Sequence, residues 1–332
     1  MTLPRPVGRN QPALEFGVFP LGIAGAPGRV ATGRRDDRQA ITRALGELSG
    51  DGPPLMPRMY VNWLGRWWNR TALAQVRRVA EAAGPPHDLV LCYRDSSGNV
   101  EAWARFVARV VRDYGHKLAA IQVTGEANLT AIPDAADGAF PRAAEALVRG
   151  VLSAAEAKRA AGATAAVGFA AAVEATPDGN GFWSGVRKLG GTDFAAAVEY
   201  AGIDLYADVF GPRIELGQLP GVVTWILRTF REQTLPIIGI PPSTPVRICE
   251  NGWPTGPGRA ESTQARVLEA TLRTVHGLRA ELNVTHWELF TLRDANSSRD
   301  SLFHRFGVLR DDYSAKPAFG MLRDLIAELR RG

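Results

Sequence analysis

The sequence predicts an α/β fold, a closed (β/α)8 barrel of eight parallel strands each followed by a helix. Three observations predict it. Apolar, β-branched runs alternate with helix-period segments from one end of the chain to the other. Strict alternation of this kind calls for parallel strands joined by crossover helices. Eight such units within 332 residues fit a closed ring better than an open doubly wound sheet. No glycine-rich dinucleotide or phosphate loop follows the first strand, which removes the main nucleotide-binding readings.

The elements follow in order. Residues 14–22 read as the first strand and 37–48 as its helix. Residues 55–63 form the second strand and 71–83 its helix, and the short apolar run 88–93 is a third strand ahead of a helix over 100–114. Residues 118–124 make a fourth strand that ends at Gly125-Glu126. The helix after it, 141–161, places Leu147 and Val151 four residues apart on one face. A small-residue strand over 163–173 precedes a loosely helical 185–197. Residues 200–209 and 222–232 give the sixth pair, 246–250 and 261–281 the seventh, and 284–290 and 317–329 the eighth. The Pro- and Gly-rich stretches 24–32 and 211–220 read as long loops, and 236–245 as a joint into the seventh strand. No boundary divides the barrel: residues 1–13 are an N-terminal arm and 14–332 one domain.

Composition narrows the function. Hydrophobic residues make up 45% and charged residues 22%, ordinary for a soluble globular enzyme. No stretch approaches the roughly 20 apolar residues of a membrane span, and the N-terminus lacks the apolar core of a signal peptide. The chain is therefore expected to be cytoplasmic unless a leader was removed, with no membrane partner. The net charge of +5 comes from scattered arginines, without a basic block interleaved with aromatics, so no nucleic-acid partner is expected. His87, His116, His276, His286 and His304 are dispersed, and neither a metal nor a cofactor is expected. Cys92 and Cys249 fall in strand-like runs and read as small buried hydrophobes.

Active sites of such barrels form at the C-terminal strand ends, so polar residues there carry the signal. Glu250 ends the apolar run Val246-Arg247-Ile248-Cys249 and is followed by Asn251-Gly252-Trp253-Pro254, a sharp turn. A hydrophobic core has no use for a charge delivered there. Strand four delivers Glu126 in the same way. Strand two carries Arg58, Tyr60, Asn62 and Trp63, strand six Asp204 and Tyr206, and strand eight Trp287 and Glu288, with Arg293 and Asp294 beyond. Two opposed carboxyls suit cleavage of a glycosidic bond, one protonating the leaving oxygen and the other attacking the anomeric carbon. A structural reading stands beside each residue. Glu126 suits a helix N-terminal charge or an ion pair, and Glu250 a bond to the turn amides. Trp63, Trp67 and Trp68, with Arg66 and Arg70, make either a carbohydrate-binding rim or plain packing. Asp95 and Glu174 are substrate-hydroxyl or loop groups. His286 points away from the Trp287 face, as a satisfied core histidine.

These residues resemble the clan A retaining glycoside hydrolases. Cys249-Glu250-Asn251-Gly252-Trp253-Pro254 is similar to the clan's nucleophile segment, and Phe306-Gly307-Val308-Leu309-Arg310-Asp311-Asp312 with Lys316-Pro317-Ala318-Phe319 to its C-terminal ending. The resemblance implies a hydrolase acting on a β-linked glycoside or oligosaccharide without a cofactor. It implies that Glu126 is the general acid/base and Glu250 the nucleophile. Tyr206 would orient the nucleophile and Arg58 would be its electrostatic partner. Trp287 would be a sugar platform, with Trp253 of the nucleophile segment also at the substrate. The clan usually has Asn immediately before the acid/base, whereas this chain has Gly125; Asn128 would replace it if the loop turns back. That departure motivates one alternative, a carbohydrate-binding barrel that has lost catalysis. A transglycosidase is a second. A metal-dependent barrel hydrolase is disfavoured, because no strand end carries a His-x-His pair or a clustered carboxylate set.

Overall fold

The computed structural model describes residues 13–331, so all of the expected arm except residue 13 lies outside the described residues. Eight parallel strands close into a barrel: β1 (Glu15–Phe19), β2 (Met56–Trp63), β3 (Asp88–Tyr93), β4 (Ala120–Val123), β5 (Ala166–Ala172), β6 (Tyr200–Leu205), β7 (Val246–Asn251) and β8 (Val284–Phe290). The ring shuts where β8 pairs with β1, Phe290 lying opposite Phe19. Helices α1 (Arg38–Ser49), α2 (Asn69–Ala80), α3 (Val100–Tyr114), α4 (Ala143–Ala161), α5 (Phe182–Ala197), α6 (Leu219–Arg228), α7 (Glu261–Leu282) and α8 (Pro317–Leu329) return the chain between strands and close it. No described helix is long and apolar enough to cross a membrane.

Local chemistry fixes most boundaries near their expected places. Asp37 caps α1 by accepting from the amides of Gln39 and Ala40, and Asn99 caps α3. Leu147 and Val151 of α4 are both buried, as their spacing requires. Three places differ. The first loop contains a small hairpin, Ala24–Ala26 paired with Arg29–Ala31, which its Pro- and Gly-rich composition concealed. Strand β6 stops at Leu205, because Asp208 turns the chain away: it has φ 60 and its carboxylate accepts from Ile214 N and Trp253 Nε1. Helix α6 runs on through a wide turn over Thr229–Thr234 into Leu235–Ile237, so part of the expected joint is helical.

Two cores result. Outside the ring, apolar strand residues pack on the helices. A cluster of Trp63, Tyr93, Trp103 and Phe106, with ring centroids 5.5–6.1 Å apart, is one example. Inside, the lumen is polar. Arg58, Asp88, Gln122, Arg247 and Glu288 are buried there beside Ala120, Ala170, Tyr200 and Cys249. Missing side chains make the room: a Cβ on Gly17 would lie 2.7 Å from the Glu288 side chain, and one on Gly168 2.6 Å from the Tyr200 ring. Both cysteines are buried and free.

Candidate active site

Glu250 sits partly buried at the end of β7, and two phenols from other strands hold it. Tyr60 Oη donates to Oε1 at 2.5 Å and Tyr206 Oη to Oε2 at 2.5 Å. Each carboxylate oxygen thus accepts one O–H bond, which suits an acceptor-only group. Behind Tyr60 stands Arg58, whose Nε donates to the phenol oxygen at 2.8 Å. The rest of the guanidinium is committed to Asp88 and to Gln122 Oε1, with Glu288 at 3.9 Å. Arg58 therefore reaches Glu250 through Tyr60, and the direct partnership implied by the resemblance is replaced by a relay. The turn after Glu250 is locked from below, where the Asn251 amide donates to Leu205 O at 2.6 Å and accepts from Trp287 Nε1 at 3.1 Å.

Glu126 arrives on the opposite wall. The chain leaves β4 at Val123 and bends through Thr124 and Glu126, both left-handed at φ 66 and 46. Asp137 pins this bend: one of its oxygens accepts from Gly125 N at 2.7 Å and Tyr93 N at 2.6 Å, while the other pairs with Arg94 at 2.9 Å. No helix starts at Glu126, since α4 begins only at Ala143, so the helix-terminus reading fails. The carboxyl retains some exposure at the mouth. Burial, followed by the negative charge of Glu250, pushes its pKa up to about 8. Asp204 is the third carboxyl of this floor. It is buried on β6 in register with Glu250, its Oδ1 has no partner among the described residues, and burial plus the two glutamates raise it well above the usual carboxylate range.

Several expected site residues lie elsewhere. Trp287 is 1% exposed and faces the helix layer, where it packs edge-on against Phe16. Trp253 is 0% exposed, donates to Asp208 Oδ2 at 3.0 Å and lies under the Arg259 guanidinium. Neither ring offers a surface to a ligand, so the sugar-platform expectation for Trp287 and the substrate-contact expectation for Trp253 are corrected. The cause is strand parity: His286, Glu288 and Phe290 alternate with Trp287 and so share the inner face. Phe290, partly exposed at the mouth, occupies the place expected for Trp287. It stacks on Phe19 at 5.5 Å and meets Tyr206 edge-on at 6.1 Å. Asn128 does not turn back toward Gly125, because its amide bonds both the N–H and the C=O of Ala172 at 3.0 Å.

The remaining polar residues sort simply. Asp95 binds Ser97 and Asn99 as a loop group, and Glu174 accepts from Trp183 Nε1 at 2.6 Å. His286 faces Glu15 at 2.9 Å, far below the mouth at the start of the first strand. Arg293 pairs with Asp36 and Asp294 with Lys316. Trp63 is core, whereas Trp67 and Trp68 are 82% and 53% exposed, so the trio divides. Sequence reasoning gave no role to Tyr60 or Phe290. Parity supplies the missing signal: Tyr60 shares the inner face with Arg58 one step nearer the mouth, as Phe290 does with Glu288. Among the described residues, no group of three His, Cys, Asp or Glu is placed to hold a metal ion.

No protein-family model matches the chain, and no curated protein matches it in sequence. Solved structures do resemble it. A family 1 β-glucosidase from Thermotoga maritima superposes with a TM-score of 0.63 at 14% identity, over 98% of this chain and 99% of that one. A β-glucosidase from Exiguobacterium marinum gives 0.62 at 14% identity, over 96% and 99%. β-Glucosidase 1317 gives 0.59 at 16% identity, over 87% of each chain. At such identities the likeness establishes the fold: the chain has the closed eight-stranded (β/α)8 barrel of these β-glucosidases.

Proposed function

We propose that the protein is a retaining glycoside hydrolase acting on a β-linked glycoside, with Glu126 as general acid/base and Glu250 as nucleophile. The observation that carries this reading is the contrast between two carboxyls at one mouth. Glu126 is raised to about 8 and so holds a proton at neutral pH, while both oxygens of Glu250 accept phenolic hydrogen bonds. One group is set up as an acid and the other as an anion, the division of labour that glycosidic cleavage needs. The fold likeness to β-glucosidases agrees with this choice of bond, which rests on the two carboxyls and not on the fold alone.

The steps follow from that division. Glu126 gives its proton to the leaving oxygen as a carboxylate oxygen of Glu250 attacks the anomeric carbon and forms a glycosyl ester. The departure of the leaving group leaves Glu126 ionised. It then takes a proton from a water molecule whose oxygen displaces Glu250. Tyr60 and Tyr206 fix the attacking carboxylate between two donors, and Arg58 keeps Tyr60 turned as a donor toward it. Phe290, partly exposed at the mouth and backed by the buried Phe19, gives the site an apolar side on which a sugar face can lie.

The test is turnover of a panel of aryl β-glycosides by the wild type and by Glu250→Ala. The variant is expected to be inactive, and added azide is expected to restore a product of inverted configuration. Full activity in Glu250→Ala defeats the assignment. A second reading, a carbohydrate-binding barrel without catalysis, draws on Gly125 and on the commitment of Asn128 to Ala172, which keeps Asn128 from replacing the missing Asn. Glycan binding without turnover across the panel would favour it.

A further inference from the structure

The first loop makes contacts that the proposed chemistry does not require. Its hairpin, Ala24–Ala26 with Arg29–Ala31, turns at Gly28 with φ 71 and leaves from the C-terminal end of β1, on the face where both glutamates emerge. The two faces of its first strand meet different walls of the site. Ala24 and Ala26, with Ala31 of the second strand, are buried against Phe290 and Phe303. Phe290 touches Tyr206, which holds Glu250. Gly25, between the two alanines, faces the loop that follows Glu126. A Cβ on Gly25 would lie 2.4 Å from Asp134 O and 2.7 Å from Ala135 Cα. The φ of Gly25 is not positive, so close approach rather than backbone conformation calls for glycine here.

Each wall that the hairpin touches is itself fixed. Arg94 binds the carbonyls of Pro133 and Ala136 on either side of the Gly25 contact, and its ion pair with Asp137 ties that loop to the bend carrying Glu126. At the hairpin's base, Gly22 N donates to Asp36 Oδ1 at 3.0 Å, and Asp36 pairs with the buried Arg293. Past the hairpin, Gly33 abuts the carbonyl of Ala295 so closely that a Cβ would lie 1.6 Å from its oxygen. The hairpin is thus a brace wedged between the Glu250 wall and the Glu126 wall, clamped at both ends.

We infer that this hairpin is a roof that closes one side of the site, so that the protein acts on the terminal sugar of a β-linked chain and not on internal linkages. The inference rests on the hydrolase reading above. A polysaccharide cut internally must lie across the mouth with sugars on both sides of the scissile bond, which requires a groove open at both ends. Here the hairpin occupies the space between the two walls. On this reading only a chain end is admitted to the site, and the rest of the substrate stays outside.

The experiment is a product analysis of β-linked gluco-, xylo- and galacto-oligosaccharides labelled at the reducing end, beside the matching aryl monoglycosides. At early conversion the wild type is expected to release monosaccharide alone, leaving labelled fragments one unit shorter. Internal fragments from the wild type overturn the roof while leaving the hydrolase reading intact. Absence of turnover on every aryl glycoside and oligosaccharide overturns both. Gly25→Val, which touches no catalytic group, should push the hairpin from Asp134 and Ala135. It is expected to keep aryl monoglycoside turnover and to gain internal fragments. A folded, active Gly25→Val that still cuts only at ends overturns the inference as well, and if this variant fails to fold, the wild-type product pattern decides.

Discussion

Replacing Glu126 by Gln is expected to stabilise the fold at neutral pH while removing the proposed acid. The magnitude follows from the carboxyl's environment. Burial and the charge of Glu250 raise its pKa from 4.5 to about 8. In the unfolded chain the same group ionises near 4.5, so between these values the folded protein holds a proton that the unfolded chain has released. Stability from this group is fully present below pH 4.5 and is lost progressively as pH rises toward 8. At about pH 7 the ceiling is ~3 kcal/mol, at 1.36 kcal/mol per pH unit above 4.5. Partial exposure at the mouth and the shared field of Glu250 reduce this to ~1–2 kcal/mol. Gln keeps the shape and cannot ionise, so it escapes the loss. In a chain of this length the gain corresponds to a melting temperature about 1.5–3 °C higher. Thermal unfolding of wild type and Glu126→Gln across a pH series checks it: the difference should vanish below pH 4.5, grow toward pH 8 and then level off. A variant less stable than wild type at neutral pH, or a gain of equal size at every pH, would refute the account of Glu126 as a protonated, strained acid.

Other outcomes follow from the same geometry. Tyr206→Phe removes one of the two hydrogen bonds to Glu250, a charge-assisted bond of ~1.5–3 kcal/mol, so kcat/KM for an aryl glycoside should fall about 10- to 100-fold with little change in melting temperature. In the wild type, turnover should decline as pH rises through about 8, where Glu126 gives up its proton; a pH–rate profile flat across that region contradicts the acid role. Trp253→Phe loses the bond to Asp208 and should lower the melting temperature without altering KM, whereas Phe290→Ala should raise KM, and steady-state kinetics beside thermal unfolding separates the two. Arg58→Met leaves Asp88 and Glu288 buried without their cation and should cost about 3–5 kcal/mol of stability in denaturant unfolding; pairing it with Asp88→Leu should recover part of that loss.

Much of the barrel was legible because its signals are local. The runs 88–93, 284–290 and 317–329 coincide with β3, β8 and α8, since β3 is a nearly continuous apolar run, β8 carries its titratable groups His286 and Glu288 on the lumen face, and a surface helix needs one apolar face. The hairpin at residues 24–31 was not legible. Its alanines and glycines carry almost no strand signal, and what holds them is contact with Phe290, Phe303 and Asp134 from distant loops. Residues 206–209 were read as strand for the converse reason, because Asp208 turns the chain there with Trp253, 45 positions away, as its partner. On β8 the alternation was recognised, but the more prominent aromatic was placed on the inner face. Which face turns inward is set by register against β1 and β7, and a single strand does not record it.

The sequence by itself determined the eight-fold alternation and the delivery of Glu126 and Glu250 to strand ends, since period, turn chemistry and a charge after an apolar run are properties of neighbouring residues. Only the tertiary structure decided what surrounds each carboxyl. Tyr60 lies 190 positions from Glu250, and Tyr206 lies 44. Their bonds, the proton held by Glu126 and the brace that Gly25 makes with the opposite loop exist only once the ring has closed and displaced the water between its walls. Proton affinity and access depend on distance and burial in space, and the order of residues along the chain specifies neither until folding brings them together.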